Sequence, residues 1–119
     1  MLASDSTAVK RTPRPGRPVR GSRTGRPVMA LLDLLGRRWA LRVLWELREA
    51  EPLTFRELQT RCGEVSSSVL NDRLRELREA QIVAIRHGGG YLLTADGQEL
   101  LGALLPLGAW AERWAKRVS

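Results

Sequence analysis

Three consecutive serines, Ser66, Ser67 and Ser68, open a stretch that continues with Asn71, Asp72, Arg73 and Arg75. Hydroxyls and free amides at a helix N-terminus suit phosphate oxygens. Asn71 carries the two-pronged amide that matches adenine, and Arg75 the fork that matches guanine or a phosphate. Asp72 works against this, because a carboxylate repels phosphate and can accept only from cytosine. Each group also has a plainer role. The serines could do no more than cap a helix, and Arg73, Arg75 and Arg78, interleaved with Glu76 and Glu79, could form a solvated, salt-bridged face. The arrangement as a whole favours nucleic acid. A second basic pair, Arg86-His87, borders a glycine run. A third group fills the first 26 residues, where Arg14, Arg17, Arg20, Arg23 and Arg26 recur every three positions. Such a ladder, if extended, can follow a phosphate-lined groove.

Catalytic chemistry finds little to work with. The lone His87 leaves no partner for a Ser-His-Asp triad or a His-based metal cluster. The single Cys62 excludes an internal disulfide and a Cys-rich zinc site, and is expected to pack in the core. Gly88-Gly89-Gly90 closes a hairpin and does not open a helix, so it lacks the context of a phosphate cradle. No enzyme activity, cofactor or metal is expected.

The 119 residues hold 20 Lys+Arg and 13 Asp+Glu, a net charge of +7. Seven of the basic residues and one acid lie in residues 1–26; the remaining 93 residues are almost neutral. Basicity therefore belongs to the arm. Four of the six prolines fall within residues 1–27, without apolar periodicity, so residues 1–26 read as a disordered Arg/Pro/Gly arm. Within it Arg14-Pro15-Gly16-Arg17-Pro18-Val19 recurs nine residues on as Arg23-Thr24-Gly25-Arg26-Pro27-Val28. The repeat resembles a loosened AT-hook core with one extra residue between its arginines; the plainer alternative is a solubilising leader. No run approaches the roughly 20 apolar residues of a membrane span, and the N-terminus has no apolar h-region, so secretion is not expected. A cytoplasmic, nucleoid-associated location and no membrane partner are expected.

Residues 27–119 must supply the scaffold. Val28, Leu31, Leu32 and Leu35 have the one-face spacing of a short helix that Gly36 ends. Trp39 to about Ala50 is apolar almost all round, which predicts a central helix buried on several sides. Pro52-Leu53-Thr54 leaves room for a very short strand. Thr54-Phe55-Arg56-Glu57 matches a capping box opening a helix to about Cys62, with Phe55, Leu58 and Cys62 inward. Ser66 caps the next helix, to about Ala80, whose buried stripe is Leu70, Leu74 and Leu77. A wheel then turns Ser68, Asp72 and Arg75 outward, with Ser67, Asn71 and Arg78 on one flank. Ile82–His87 and Tyr91–Leu93 flank the three glycines as a hairpin. Thr94 caps a last helical stretch that Pro106 kinks or restarts.

This order predicts a mainly α fold with one small β-hairpin, a winged helix-turn-helix, whose partner is double-stranded DNA. Leu100, Leu104, Leu107, Ala111, Trp114 and Val118 keep a seam spacing along the last stretch. Together with Val28, Leu31, Leu35 and Trp110, they are expected to join the first and last helices of two copies into a homodimer. Trp39, Trp45, Trp110 and Trp114 could line a pocket for a small-molecule effector at that seam, although tryptophans in a small helical domain more often serve core and interface. A winged-helix module that binds protein, or a non-specific nucleoid-type DNA binder, is the alternative function.

Residues 28–114 resemble the HxlR family of bacterial winged-helix transcription regulators. The resemblance rests on Ala30-Leu31-Leu32-Asp33-Leu34-Leu35-Gly36 followed by Trp39, on Phe55-x-Glu57-Leu58, and on Val65-Ser66-x-x-Val69-Leu70-x-x-Arg73-Leu74-Arg75-Glu76-Leu77. Tyr91-x-Leu93-Thr94-x-x-Gly97 and the Trp110/Trp114 pair complete it. It implies a homodimer on a pseudo-palindromic operator, activating or repressing transcription. The chain departs from the family in three places. A cysteine often found before the first helix is replaced by Arg26-Pro27, Ser68 stands where a basic residue is common, and the family's longer, Pro-containing wing shrinks to Gly88-Gly89-Gly90.

Overall fold

The computed structural model describes residues 11–119. Its helices and strands are α1 (Pro27–Leu35), α2 (Ala40–Glu46), α3 (Phe55–Cys62), α4 (Ser67–Glu79), β1 (Val83–Ile85), β2 (Tyr91–Leu93), α5 (Ala95–Leu104) and α6 (Pro106–Val118). The strands pair antiparallel, Val83 opposite Leu93 and Ile85 opposite Tyr91. Leu53 exchanges both backbone hydrogen bonds with Tyr91 and adds a one-residue third strand. Helices first, then the tight α3–α4 pair, then a hairpin: this is the winged helix-turn-helix.

Local chemistry sets the boundaries. Thr54 and Glu57 form the full capping box: the Thr54 hydroxyl accepts from the Glu57 amide and the Glu57 carboxylate accepts from the Thr54 amide. The Ser66 hydroxyl accepts from the Val69 amide, and that of Thr94 from the Gly97 amide. Thr94 also donates to the Gln81 and Ile82 carbonyls, tying the start of α5 to the segment that enters β1. Around these caps Val43, Leu44, Leu47, Leu58, Leu70, Leu74 and Leu77 form a closed core. At roughly 1.5–3 kcal/mol for each such side chain removed from water, this core fixes α3 and α4 against α2.

Several expectations need correction. The helix predicted from Trp39 to Ala50 runs only over Ala40–Glu46, because Trp39 takes a left-handed φ of 77° and heads the helix instead of joining it. It is the central helix expected, packed against α1, α3, α4 and α5, but Leu41 and Trp45 are exposed and the Arg48 guanidinium stacks on the Trp45 ring at 4.0 Å. On α1 the inward residues are Ala30, Leu34 and Leu35, while Val28 and Leu32 face outward. The strand expected over Ile82–His87 closes after Ile85.

The arm departs most from expectation. Residues 1–10 lie outside the described residues, but residues 11–26 fold back on the domain, with Thr12 and Pro13 buried. The Thr12 hydroxyl donates to Glu79, and Arg37 donates to the Arg11 carbonyl at 2.6 Å. The chain reverses between Val19 and Ser22, which exchange both backbone hydrogen bonds. The arginines thus lie on two limbs of a turn, not on an extended ladder. The nine-residue repeat acquires a structural meaning: its two glycines meet, the Gly16 amide donating to the Gly25 carbonyl at 2.9 Å. Both have positive φ, and a Cβ on Gly25 would lie 2.2 Å from the Arg17 carbonyl oxygen.

Candidate nucleic-acid interface

With Leu70, Leu74 and Leu77 buried, α4 presents Ser68, Asn71 and Arg75 on the side away from the core. Their neighbours are less free. Ser66 is committed to its cap, and the Ser67 hydroxyl accepts from the Gln59 amide at 3.0 Å, which ties α3 to α4. Arg75 lies 3.6 Å from both Asp72 and Glu79, half exposed in each pair. Pairs this exposed contribute little to stability, and an incoming base or phosphate can replace them.

Arg73 is placed differently from the DNA-facing role expected of it. Its side chain is mostly covered; it donates to the Arg38 carbonyl at 3.2 Å and lies 2.9 Å from Glu76. Glu76 is itself buried, with Arg37 on its other oxygen at 2.7 Å. Arg73 Nη2 donates to Glu76 Oε2 at 3.4 Å, while Arg73 Nε and Glu76 Oε1 face each other as an ion pair without a hydrogen bond. Instead of a solvated face, this flank of α4 is an Arg–Glu–Arg triad that binds α4 to the α1–α2 turn. Sequence reasoning passed over Arg37, Arg38 and this use of Glu76. The signal for it was the wheel, on which Arg73 falls next to the Leu70–Leu77 stripe.

Arg86 and His87 are exposed at the wing, where the Arg86 amide donates to the Gly90 carbonyl at 2.8 Å. Gly88, Gly89 and Gly90 all take positive φ (94°, 111° and 94°), which is why three glycines close so short a hairpin. In the arm, Arg14, Arg20, Arg23 and Arg26 are exposed and Arg17 is half-buried against the Thr12 carbonyl.

The residues assigned to dimerisation fall into two groups. Leu35 is buried within its own chain and is removed from the contact surface. Leu31, Leu100 and Leu104 are partly covered by the core, whereas Val28, Leu107, Trp110 and Trp114 stand open. No residue of α6 is buried, and the Trp110 and Trp114 rings stack on one another at 6.0 Å.

Cys62 lies in the core, 2 % exposed. Burial raises its thiol pKa; the nearby Arg42 charge opposes the shift and Glu46 adds to it. Little thiolate forms near neutrality, so reaction with a disulfide reagent such as DTNB is expected only after denaturation. Rapid labelling of the native protein would show the thiol to be accessible. Among the described residues no helix is long and apolar enough to cross a membrane.

Residues 34–119 match the family model described as HxlR-like helix-turn-helix. The chain is 29% identical to quinone-bound YodB from B. subtilis, covering 73% of this chain and 96% of that one with a TM-score of 0.68. The reduced form of the transcriptional regulator YodB, also 29% identical, aligns over 73% and 91% with a TM-score of 0.65. A "possible HxlR family transcriptional factor" from Thermoplasma volcanium GSS1 shares the fold at 24% identity and a TM-score of 0.66, over 76% and 85% of the two chains.

Proposed function

This chain belongs to the HxlR-like helix-turn-helix family, and from that premise we propose that it is a transcriptional regulator acting as a homodimer on a pseudo-palindromic operator. In this reading α4 enters the major groove, Asn71 and Arg75 read base edges, Ser68 meets a phosphate near the helix start, and the wing carries Arg86 and His87 to the adjacent backbone. The observation that carries it is the outward face of α4: exposed Ser68, Asn71 and Arg75 opposite a fully buried leucine stripe. The helix is held firmly and offers its polar side to a partner.

Selection of bound duplexes from a random pool tests this directly. The expected product is two inverted half-sites separated by about one helical turn, ~10 base pairs, or a multiple of it. Asn71→Ala and Arg75→Ala should each weaken binding to the selected site by about 1–3 kcal/mol while leaving thermal stability unchanged. If both variants bind as tightly as the parent, base reading does not belong to α4. A pool that yields no motif, with binding that is only salt-dependent, would favour a non-specific binder.

A small-molecule effector is part of the proposal, since YodB has been solved with a quinone bound. Cys62, the one cysteine of the chain, is buried and is not exposed to such a molecule in the native fold.

A further inference from the structure

Arg11, Arg14, Arg17 and Arg20 of the folded arm line a groove that leads to α4, whereas Arg23 and Arg26 lie outside it. Two adjoining clefts, of about 430 and 500 Å³, share Arg20, Asp33 and Arg37. Together they run from Arg14 and Arg17 on the folded arm, past Arg20 and Arg37, to Arg38 and Arg73 beside the middle of α4. We propose that this channel seats the sugar–phosphate backbone of duplex DNA flanking the sequence read by α4. The proposal rests on the DNA-binding reading above and adds where the flanking strand runs and what holds it.

Charge supports a polyanion. The acids along the channel are Asp33, Asp72 and Glu76, and each is already engaged. Asp33 accepts from the Arg20 backbone amide at 3.2 Å, Asp72 lies 3.6 Å from Arg75, and Glu76 is enclosed by Arg37 and Arg73. Arg14, Arg17 and Arg38 have no carboxylate partner among the described residues. The Arg17 guanidinium donates to the Thr12 carbonyl, and the Arg38 guanidinium lies over the Trp39 ring at 5.8 Å. Several cations gathered in one open cleft repel each other and focus a positive potential, which a row of phosphates relieves. A single small anion would satisfy one or two of them and leave the rest. Because the channel ends at α4, the backbone it holds belongs to the same duplex whose bases α4 reads.

Backbone geometry, not charge alone, makes the channel. The Gly16–Gly25 crossing closes the arm's turn, and Arg37 fixes it to the body by donating to both the Arg11 carbonyl and Glu76. Arg37 is therefore a positioning residue, and Arg38 a phosphate contact.

Deleting the arm would weaken binding whether it is a channel or a mobile tail, so the decisive variant keeps every charge. Gly25→Ala in the full chain places a Cβ 2.2 Å from the Arg17 carbonyl oxygen at φ +73° and cannot keep the crossing. Binding is measured against salt on the selected duplex, with long flanks and with flanks trimmed to the motif. The parent should lose affinity on trimming. Gly25→Ala should lose that dependence on flanks and lower the log–log salt slope by about two, with its sequence preference kept. Arg38→Ala should lower the slope by about one, and Arg38→Lys should restore it. Melting curves of all variants exclude a general loss of fold. Parental slopes and parental flank dependence in both Gly25→Ala and Arg38→Ala would overturn the channel and leave the arm a mobile charge at most. A parent that binds no duplex would instead overturn the DNA-binding reading, and the channel with it.

Discussion

Glu76→Ala should cost about 3 kcal/mol of folding stability, the lower end of what breaking a buried ion pair costs, because the Arg37 and Arg73 side chains retain some solvent contact. The variant leaves two mostly covered guanidiniums facing each other with no anion between them. For a domain of this size that is a fall in melting temperature of roughly 10–20 °C. Glu76→Gln should fall between, since an amide oxygen still accepts a hydrogen bond but no longer cancels charge. Replacing all three members by apolar residues of similar volume should cost far less than removing the glutamate alone, because no charge is then left buried. Urea unfolding of the three variants checks this ordering. A loss below about 1 kcal/mol for Glu76→Ala would mean that the arginines swing out to water. Because the triad joins α4 to the α1–α2 turn, Glu76→Ala should also loosen the docking of the arm through Arg37.

Trp110→Ala combined with Trp114→Ala should turn the proposed dimer into monomers at micromolar concentration. These indoles are half exposed and stacked on a helix that buries nothing in its own chain. Aromatic anchors at the centre of an interface typically contribute about 2 kcal/mol or more each, so the double variant should raise the dimer dissociation constant by about a thousandfold. Sedimentation equilibrium of parent and variant decides it. A parent that is monomeric at tens of micromolar would remove the dimer, and an unchanged mass for the variant would move the interface away from α6.

Where one residue decides the structure, the sequence was readable. Thr54 with Glu57, Ser66, Thr94 and the three glycines of the wing each act locally, and each element they bound lies where their chemistry puts it. The Leu70, Leu74 and Leu77 stripe gave the orientation of α4, and with it the outward face. What stayed hidden depends on contacts far apart in the chain. Glu79 bonds Thr12 across 67 positions, and Arg37 meets Glu76 across 39. Composition made the arm appear unable to fold, yet residues 11–26 need no core of their own, because they borrow one from α1 and the end of α4. Periodicity also misassigned Leu35, since a helix of nine residues can turn its apolar set toward two neighbours at once. Charge alternation concealed the triad for a related reason: a glutamate between arginines reads the same whether it faces water or the interior.

The wing tip constrains how this protein could acquire a new specificity. Gly88, Gly89 and Gly90 all sit where an L-residue is strained, at roughly 1–2 kcal/mol each. Filling all three would consume much of the stability of a small domain. Gly90 is further hemmed in, since a Cβ there would lie 2.8 Å from that of Pro52. Point substitution therefore cannot easily place a base-reading side chain at the tip. A longer wing has to arise by insertion, which brings new backbone with it, and short of that, adaptation is channelled into the outward face of α4 and the arginines of the arm.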